Sequence, residues 1–351
     1  MTRRRRVLAW LSTPRGAALA VWAVAFTWYL EFDGVPLDRW TQTLWILLAL
    51  FAANVGRPWR SQVRILFDWL PFVGFLYVYD LSRGVADKLG MPVHVTQPLA
   101  AEKWLFNGTV PTSFLQDRFY DPATIHWYDT VVSLVYFSHF FVVWIVAAVL
   151  YIRSRDAWVP WARRILMLSY AGLVTYVLYP AAPPWYAANS GLIPGVDRIA
   201  TRGWDNLGLH GAGAIITRGQ AQANLVAAIP SLHAAFTAML TAFVWPKLGK
   251  VGRVLMVIYT LAMAVSLVYG GEHYVVDVLI GYLYVVIVLV LASWWERRKE
   301  RRQPARLDGG DARGASGIDA DLRTTATVVG ARSNEMTGEA GRIALRTCPP
   351  L

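Results

Sequence analysis

Cysteine is almost absent from this sequence: its 351 residues include a single one, Cys348. One thiol can form neither a disulfide framework nor a thiolate cluster around a metal ion within one chain. Disulfide-stapled folds and cysteine-ligated zinc modules are therefore excluded. The histidines His94, His126 and His210 also lack the spacing of zinc ligands. We accordingly predict no metal site and no cofactor.

Charged residues are scarce as well, at 16% of the chain against 56% hydrophobic residues. A soluble domain of this size usually carries about a quarter charged residues. The 17 tryptophans and 16 tyrosines favour the membrane–water boundary. The net charge of +11 alone would be compatible with nucleic-acid binding, but the basic residues form short clusters between apolar runs. We therefore predict the lipid bilayer, and no nucleic acid, as a partner.

The sequence is rich instead in apolar segments. A helix needs about 20 apolar residues to cross the bilayer core, and about 17–25 are tolerated. Eight segments come close to that length, so we predict an all-α, polytopic integral membrane bundle with about eight transmembrane helices. The first segment follows a basic stretch but shows no small-x-small cleavage site, and we interpret it as a retained helix. The segments are approximately 17–32, 40–55, 65–81, 129–152, 165–180, 231–247, 252–269 and 274–295.

The loops between these segments differ in basic residues. Assigned alternately to the two sides, they give one side 20 of the 34 Lys and Arg residues and the other side 8. Short loops rich in Lys and Arg stay in the cytoplasm. We predict a basic cytoplasmic N-terminus (1–16), a transmembrane catalytic domain (17–296) with outer loops at 82–128 and 181–230, and a basic, disordered cytoplasmic tail (297–351).

Three short motifs stand at the outward ends of predicted spans five, six and eight. They are Pro180–Trp185, Pro230–His233 and Gly270–Asp277. The predicted topology places all three on the outer side at similar depth. Loops as long as those around them tend to be functional in a compact protein. The motifs therefore indicate a site at one membrane face.

The residues of the last two motifs have chemical properties that suit such a site. His273 and Asp277 are four apart, so they share a helix face. A carboxylate that accepts from one imidazole nitrogen leaves the other free as a nucleophile. Ser231 is a good helix cap, and His233 follows in a first turn that favours anions. Each feature alone also has a purely structural interpretation, as a packed histidine or a local helix contact.

Taken together, these motifs resemble those of a known family. PSLH at 230–233 followed by HYVVD at 273–277 is similar to the type 2 phosphatidic acid phosphatase superfamily. APPW at 182–185, with PSLHAA and GGEHYVVDVLIGY, resembles its inositol phosphorylceramide synthase-like branch. The resemblance covers about 60–295. It implies a six-helix core and metal-independent phosphoryl transfer through a phosphohistidine intermediate.

The resemblance also implies roles for individual residues. His273 resembles the nucleophile, and Asp277 resembles the partner that orients it. His233 is similar to the residue that protonates the leaving group and then activates the acceptor. Ser231 is similar to the family residue that contacts phosphate.

The sequence departs from the family pattern at two places that normally supply cations. The first motif has a lysine seven residues before Arg-Pro, whereas Leu50 holds that place before Arg57-Pro58. The third motif carries Ser-Arg ahead of its histidine, whereas Ser266-Leu267 stands here. Because phosphoryl transfer depends on electrostatic stabilisation, other cations must take part.

Basic residues of the predicted outer side are the candidates for these cations. Arg218 is the first choice, because it lies twelve residues before Pro230, and Arg83 is the second. For each of them a solvated loop charge is the alternative. The seven candidates are Arg83, Lys88, Lys103, Arg118, Arg198, Arg202 and Arg218, and Arg39 is the eighth basic residue of that side.

Two further features remain open at this stage. His139 lies well inside the fourth apolar segment, where it either makes a structural hydrogen bond, for example to Asp129, or takes part in the site. The apolar stretch 104–116 of the first outer loop either forms a lid over a lipid substrate or packs over the helix ends.

We therefore predict an enzyme that acts on a lipid phosphate at the extracytoplasmic face. It is a phosphatase or a phosphotransferase, with transfer of a head group to an alcohol acceptor such as inositol favoured. The alternative is a transporter or a non-catalytic scaffold that retains the fold. A transporter would carry polar residues near the midplane, whereas the polar residues of the last three spans cluster at their outer ends, which favours the enzyme.

Overall fold

The structure is a computed structural model that describes only part of the chain. The described residues are 9, 12–36, 38–207 and 224–302, without the side chain of Asp87. Arg218 lies outside the described residues, as do most of the basic N-terminus and the tail after Arg302. The predictions made for those parts therefore stay predictions.

The described residues form α-helices joined by turns and short 3₁₀-helices. Extended pairing within these ranges is limited to isolated bridges that link His94 to Ala181 and Ala181 to Ala227. The all-α prediction is confirmed. In chain order the α-helices are α1 (Pro14–Phe32), α2 (Arg39–Ala53), α3 (Trp59–Val85), α4 (Thr96–Leu105), α5 (Pro111–Phe119), α6 (Trp127–Arg153), α7 (Arg155–Leu178), α8 (Pro184–Asn189), α9 (Leu232–Val244), α10 (Lys250–Tyr269) and α11 (Val275–Arg302).

Each of the eight predicted segments lies on one of the longer helices. Among the described residues, four helices are long and apolar enough to cross a membrane, namely α3, α6, α10 and α11. Helix α9, at 13 residues, falls short of a bilayer crossing by itself. Membrane crossing is thus supported for four helices, and the count of eight spans stays a prediction.

The structure differs from the sequence prediction in two connections. Helix α7 begins at Arg155, ten residues before the predicted start of the fifth span, because its basic residues are good helix formers. The predicted outer loop 82–128 contains the short helices α4 and α5. Both helices contain too many polar residues to stand out in the sequence as apolar segments.

Helix α10 has the surface expected of a membrane span. Val254, Ile258, Leu261 and Val265 follow one another at helical spacing, and each side chain is more than half exposed. The opposite side of the helix buries Met263 and the residues near it. A helix with an apolar face on its outside as well as its inside suits a lipid environment.

The main core lies among α3, α6, α7 and α9. Its largest fully buried side chains include Trp69 of α3, Trp161 and Ile165 of α7, and Met239 of α9. Ala147 of α6 is also fully buried, and its small side chain lets the neighbouring helices approach. The helices that carry the predicted motifs are thereby fixed to α3.

Two arginine–aspartate pairs join α3 to its neighbours at opposite ends of the helix. Arg155 of α7 donates from Nε and Nη2 to the two carboxylate oxygens of Asp68, at 2.6 and 2.7 Å. Arg39 of α2 donates in the same bidentate manner to Asp80, with 2.7 Å between Nη2 and Oδ1. Bidentate pairs fix orientation as well as distance.

The chain divides into a unit that ends at Ala292 and a second unit that begins at Ser293. The structure describes the second unit only to Arg302. There Arg298 and Lys299 lie over the rings of Trp294 and Trp295, at 5.2 and 5.6 Å. Such cation–π contacts suit a basic, aromatic segment at an interface.

Candidate functional site

Backbone hydrogen bonds join the three sequence motifs. The N–H group of Trp185 donates to the carbonyl of Gly271 at 3.2 Å, and that of Ser231 donates to the carbonyl of Asp277 at 3.1 Å. Gly271 has a φ of +76°, and a Cβ at this position would lie 2.6 Å from the Asp197 carbonyl oxygen. Only glycine fits such a turn without strain. The motifs therefore lie side by side.

His273 and Asp277, the predicted pair, lie next to each other. The His273 Nδ1 atom lies 3.5 Å from the Asp277 Oδ2 atom, and both residues are buried. The same oxygen accepts a hydrogen bond from the N–H group of Tyr274 at 2.9 Å. The carboxylate is thus fixed to the start of α11, with the imidazole beside it.

His233 lies next to this pair. Its ring centroid is 5.6 Å from that of His273. The ring of His139 approaches that of His233 to 4.0 Å between centroids. Three imidazoles from α6, α9 and the start of α11 therefore form a row, and two of them are the histidines that the sequence motifs predict.

His139 joins the site instead of making the structural hydrogen bond considered from the sequence. Its Nδ1 atom is buried and has no hydrogen-bond partner among the described residues. Asp129 is engaged elsewhere, since its carboxylate accepts from the Tyr269 hydroxyl and from the N–H group of His126, both at 2.9 Å. A buried imidazole nitrogen without a partner is costly, so His139 is suited to meet a bound group.

The row of histidines borders a cavity of about 350 Å³. Volumes of this size are typical of small-molecule sites. The wall contains both apolar side chains, such as Leu76 and Phe236, and charged ones. The charged residues that line it are Arg39, Asp80, Arg83, Arg198 and Glu272.

Arg198 is held in place by two of the motifs. Its guanidinium donates to both carboxylate oxygens of Glu272, at 2.8 and 3.0 Å, and lies 5.1 Å from the ring centre of Trp185. Burial opposes its charge, but the Glu272 carboxylate outweighs this and raises the pKa of Arg198. Arg198 is one of the candidate cations predicted from the sequence, although Arg218 and Arg83 are the first and second choices.

Arg83, the second choice from the sequence, also lines the cavity. Its Nε atom is buried and finds no hydrogen-bond partner within the part of the chain that the structure describes. Among the other candidates, Arg202 donates to the Asp121 carbonyl and lies 4.6 Å from the ring centre of Tyr120. Lys88, Lys103 and Arg118 do not line the cavity.

Ser231 acts as the cap of α9. Its hydroxyl accepts from the N–H group of Ala234 at 3.4 Å, the residue is fully buried, and it does not line the cavity. The capping expectation from the sequence is confirmed. A contact between Ser231 and phosphate stays a prediction.

Glu102 of α4 supports the start of α11. Its two carboxylate oxygens accept from the N–H groups of Val275 and Val276, each at 3.0 Å, and the side chain is fully buried. Burial raises the pKa of Glu102, while these two N–H groups act in the opposite direction. Glu102 thus fixes two of the three residues between His273 and Asp277.

Gln116 of α5 supports a second part of the site. Its amide nitrogen donates to the carbonyls of Asp197 and Tyr269, at 2.8 and 2.7 Å, and its oxygen accepts from the Asp197 N–H group at 2.8 Å. Asp197 directly precedes Arg198. Gln116 thus connects the predicted outer loop 82–128 to the end of α10, and a lid formed by its apolar stretch stays a prediction.

Arg39, Glu102 and Gln116 are not among the site residues predicted from the sequence. His139 carried a signal, because an imidazole in an apolar span is unusual. Arg39 carried a weaker one, as a lone basic residue of the predicted outer side. Glu102 and Gln116 carried none, since their partners lie far away in the chain.

Comparison with known proteins adds to this geometry. The model of the PAP2 superfamily matches residues 113–291, a segment that contains all three motifs. The chain is 31% identical over 250 residues to the phosphoinositol dihydroceramide synthase of Bacteroides thetaiotaomicron. That alignment covers 67% of this chain and 77% of the synthase. No solved structure matches the chain.

Proposed function

The chain belongs to the PAP2 superfamily, and from this membership we propose that it is a lipid-phosphate phosphotransferase or phosphatase with a phosphohistidine intermediate. The chain is an integral membrane protein, since it combines this membership with four long apolar helices. The observation that carries the proposal is the row of His139, His233 and His273 on one cavity, with Asp277 beside His273 and Arg83 on the wall of the same cavity.

In the proposed first step His273 acts as the nucleophile. Because Asp277 lies on the Nδ1 side, Nε2 is the nitrogen that attacks phosphorus. The bond between phosphorus and the leaving oxygen breaks, and His233 gives its proton to that oxygen. Arg83 and Arg198 stabilise the negative charge on the phosphoryl oxygens. The reaction needs no metal ion in this scheme.

The second step returns the enzyme to its starting state. An acceptor oxygen attacks the phosphorus, its proton passes to His233, and the bond from phosphorus to His273 breaks. Water as acceptor gives hydrolysis, whereas an alcohol gives head-group transfer. The related synthase is named for a phosphoinositol dihydroceramide product, which favours transfer involving an inositol-type alcohol and a lipid alcohol.

The proposal extends to the arrangement in the membrane. Eight helices cross it, six of them as the catalytic core within a transmembrane domain at 17–296, and both termini lie in the cytoplasm. The unequal distribution of basic residues supports this orientation. The site then faces the extracytoplasmic side. A reporter fused after Gly191 is expected on that side, and a cytoplasmic signal would contradict the orientation.

Turnover without metal tests the reaction. Purified protein in lipid–detergent micelles is given phosphatidate and phosphatidylinositol with chelator present, and phosphate release and transfer to an added alcohol are followed. We expect turnover in the parent and in His126→Ala, whose histidine does not line the cavity, but none in His273→Ala. Loss of activity on chelation, or equal activity in His273→Ala, would refute the mechanism. An inactive parent would favour the transporter or scaffold alternative.

A further inference from the structure

The cavity has a part that the family match does not account for. Six residues that line it precede residue 113, where the matched segment begins. They come from α2 and α3, and most of them are polar or charged. These residues are Arg39, Gln42, Leu76, Tyr79, Asp80 and Arg83. The first helices of the chain thus add a polar wall beside the histidines.

The Arg39–Asp80 pair is the centre of this wall. The two side chains remain 25% and 31% exposed, although they bind each other in a bidentate manner. Mutual pairing leaves roughly three guanidinium donors and about two carboxylate acceptor sites unused. Arg39 is also held 5.3 Å from the ring centre of Trp144, which limits its movement. The wall therefore offers fixed donors and acceptors together.

The charge of this wall does not suit a phosphate. Asp80 neutralises Arg39 and would repel an anion. A hydroxyl group, in contrast, both donates and accepts, so it matches a paired guanidinium and carboxylate. Ser169 of α7 adds a fully buried hydroxyl that lines the cavity and has no hydrogen-bond partner in residues 12–36, 38–207 and 224–302. The wall is thus suited to a ligand with several hydroxyl groups.

The spacing of Asp80 and Arg83 along α3 places the polar wall next to the proposed phosphate-binding arginine. Asp80 and Arg83 are three residues apart on α3, so their Cβ atoms lie about 5–6 Å apart. Arg83 carries the buried, unpartnered Nε atom and lies close enough to Asp80 to interact electrostatically. A six-membered polyol ring joined to a phosphate spans that distance.

We propose that Arg39, Asp80 and Ser169 form a subsite for a polyol ring, such as inositol, beside a phosphate held by Arg83 and the histidines. The inference rests on the proposed function and specifies its head-group chemistry. The ring belongs either to the phosphorylated head group of a donor lipid or to a free alcohol acceptor.

Binding measurements test the subsite without turnover. The full chain in lipid nanodiscs is titrated with inorganic phosphate, myo-inositol and myo-inositol 1-phosphate. We expect the parent to bind myo-inositol 1-phosphate roughly 10- to 100-fold more tightly than inorganic phosphate, because the ring adds charge-assisted hydrogen bonds. Additional binding of free myo-inositol would identify an acceptor, and its absence a donor head group; either supports the subsite.

Two variants and a matched control sharpen the test. Asp80→Asn should lower the preference for the inositol compound at least about tenfold. Asp68→Asn, which removes the corresponding pair at the other end of α3, should leave it unchanged. Ser169→Ala removes no hydrogen bond to any described residue. It should lower the preference severalfold, so it decides the question if Asp80→Asn does not fold.

The outcomes separate this subsite from the proposed reaction. A parent without preference for the inositol compound, or a preference that survives in Ser169→Ala and in any folded Asp80→Asn, would overturn the subsite while leaving phosphoryl transfer in place. A parent that binds with the expected preference but turns over no lipid phosphate would support the subsite and overturn the proposed reaction.

Discussion

Helices α9 and α11 each carry part of the site at their first turn, and the two starts are stabilised in different ways. Helix α9 is capped by its own neighbour Ser231, at 3.4 Å from the Ala234 nitrogen. The start of α11 is held by Glu102, 173 residues away in the chain, at 3.0 Å from the Val275 nitrogen. A local cap such as Ser231 stabilises only its own helix. The distant carboxylate of Glu102 also fixes the start of α11 to the predicted outer loop 82–128.

The difference also explains what could be predicted from the sequence. The helices, the capping role of Ser231 and the convergence of His233, His273 and Asp277 follow from local patterns: apolar length, cap chemistry and i, i+4 spacing. Glu102 lies in a polar helix of the predicted outer loop 82–128, and no local pattern connects it to α11. Local sequence patterns therefore predict contacts between residues that are close in the chain, but not contacts between residues that are far apart in it.

Arg39 and Arg83 illustrate the same limit within the cavity. Both were assigned to the predicted outer side by their loop positions, but only the packing of α2 and α3 against α6 and α7 brings them to the histidines. Arg218, the first choice, rested on closeness to Pro230 in sequence and lies outside the described residues. For the described arginines, the packing of the helices decides which of them line the cavity.

The largest expected effect comes from Asp277→Asn, which keeps the shape of the α11 start but removes its charge. The amide oxygen still accepts from the Tyr274 N–H group, so the helix should form. The imidazole of His273 loses its carboxylate, and turnover should fall about 10²- to 10⁴-fold. Steady-state turnover and thermal unfolding are measured together, with the exposed Asp117→Asn as control. Full activity would show that the carboxylate is structural only.

Glu102→Ala should have the next largest effect. Two buried N–H groups lose their acceptors at about 1–3 kcal/mol each, so stability should fall by about 2–6 kcal/mol. Glu102→Gln keeps one acceptor and should fall between this variant and the parent. The unfolding temperatures in detergent give the order of stability of the parent and the two Glu102 variants. Lys103→Ala, at the exposed neighbouring residue, is the control. Equal unfolding temperatures for Glu102→Ala and Lys103→Ala would show that Glu102 does not stabilise the start of α11.

Gly281→Ala tests the contact between the two helix starts. A Cβ at Gly281 would lie 2.5 Å from the carbonyl oxygen of Ser231, so α9 and α11 must separate, at a cost of about 1–3 kcal/mol. The matched control is Gly74→Ala on α3, where the added Cβ meets nothing within 4 Å and should stabilise by about 0.5–1 kcal/mol. Equal unfolding temperatures for these two variants would contradict the close approach.

Ser231→Ala should have the smallest effect of the series. Loss of a serine cap costs about 0.5–2 kcal/mol, and the hydrogen bond from the Ser231 N–H group to the Asp277 carbonyl is retained. Turnover should stay within about threefold of the parent, because a cap contributes locally. A large loss of turnover with unchanged unfolding temperature would instead support the predicted contact between Ser231 and phosphate.

The contact between Glu102 and α11 also has a consequence for biosynthesis. Glu102 is synthesised 173 residues before Val275 and 174 before Val276. At roughly 5–20 residues per second, the ribosome needs about 9–35 s to make that length of chain. During this interval the carboxylate has none of its eventual N–H donors, and a buried position would leave it unpaired. Final seating of α4 must therefore await the last helix, and a nascent chain released before residue 275 cannot complete the site.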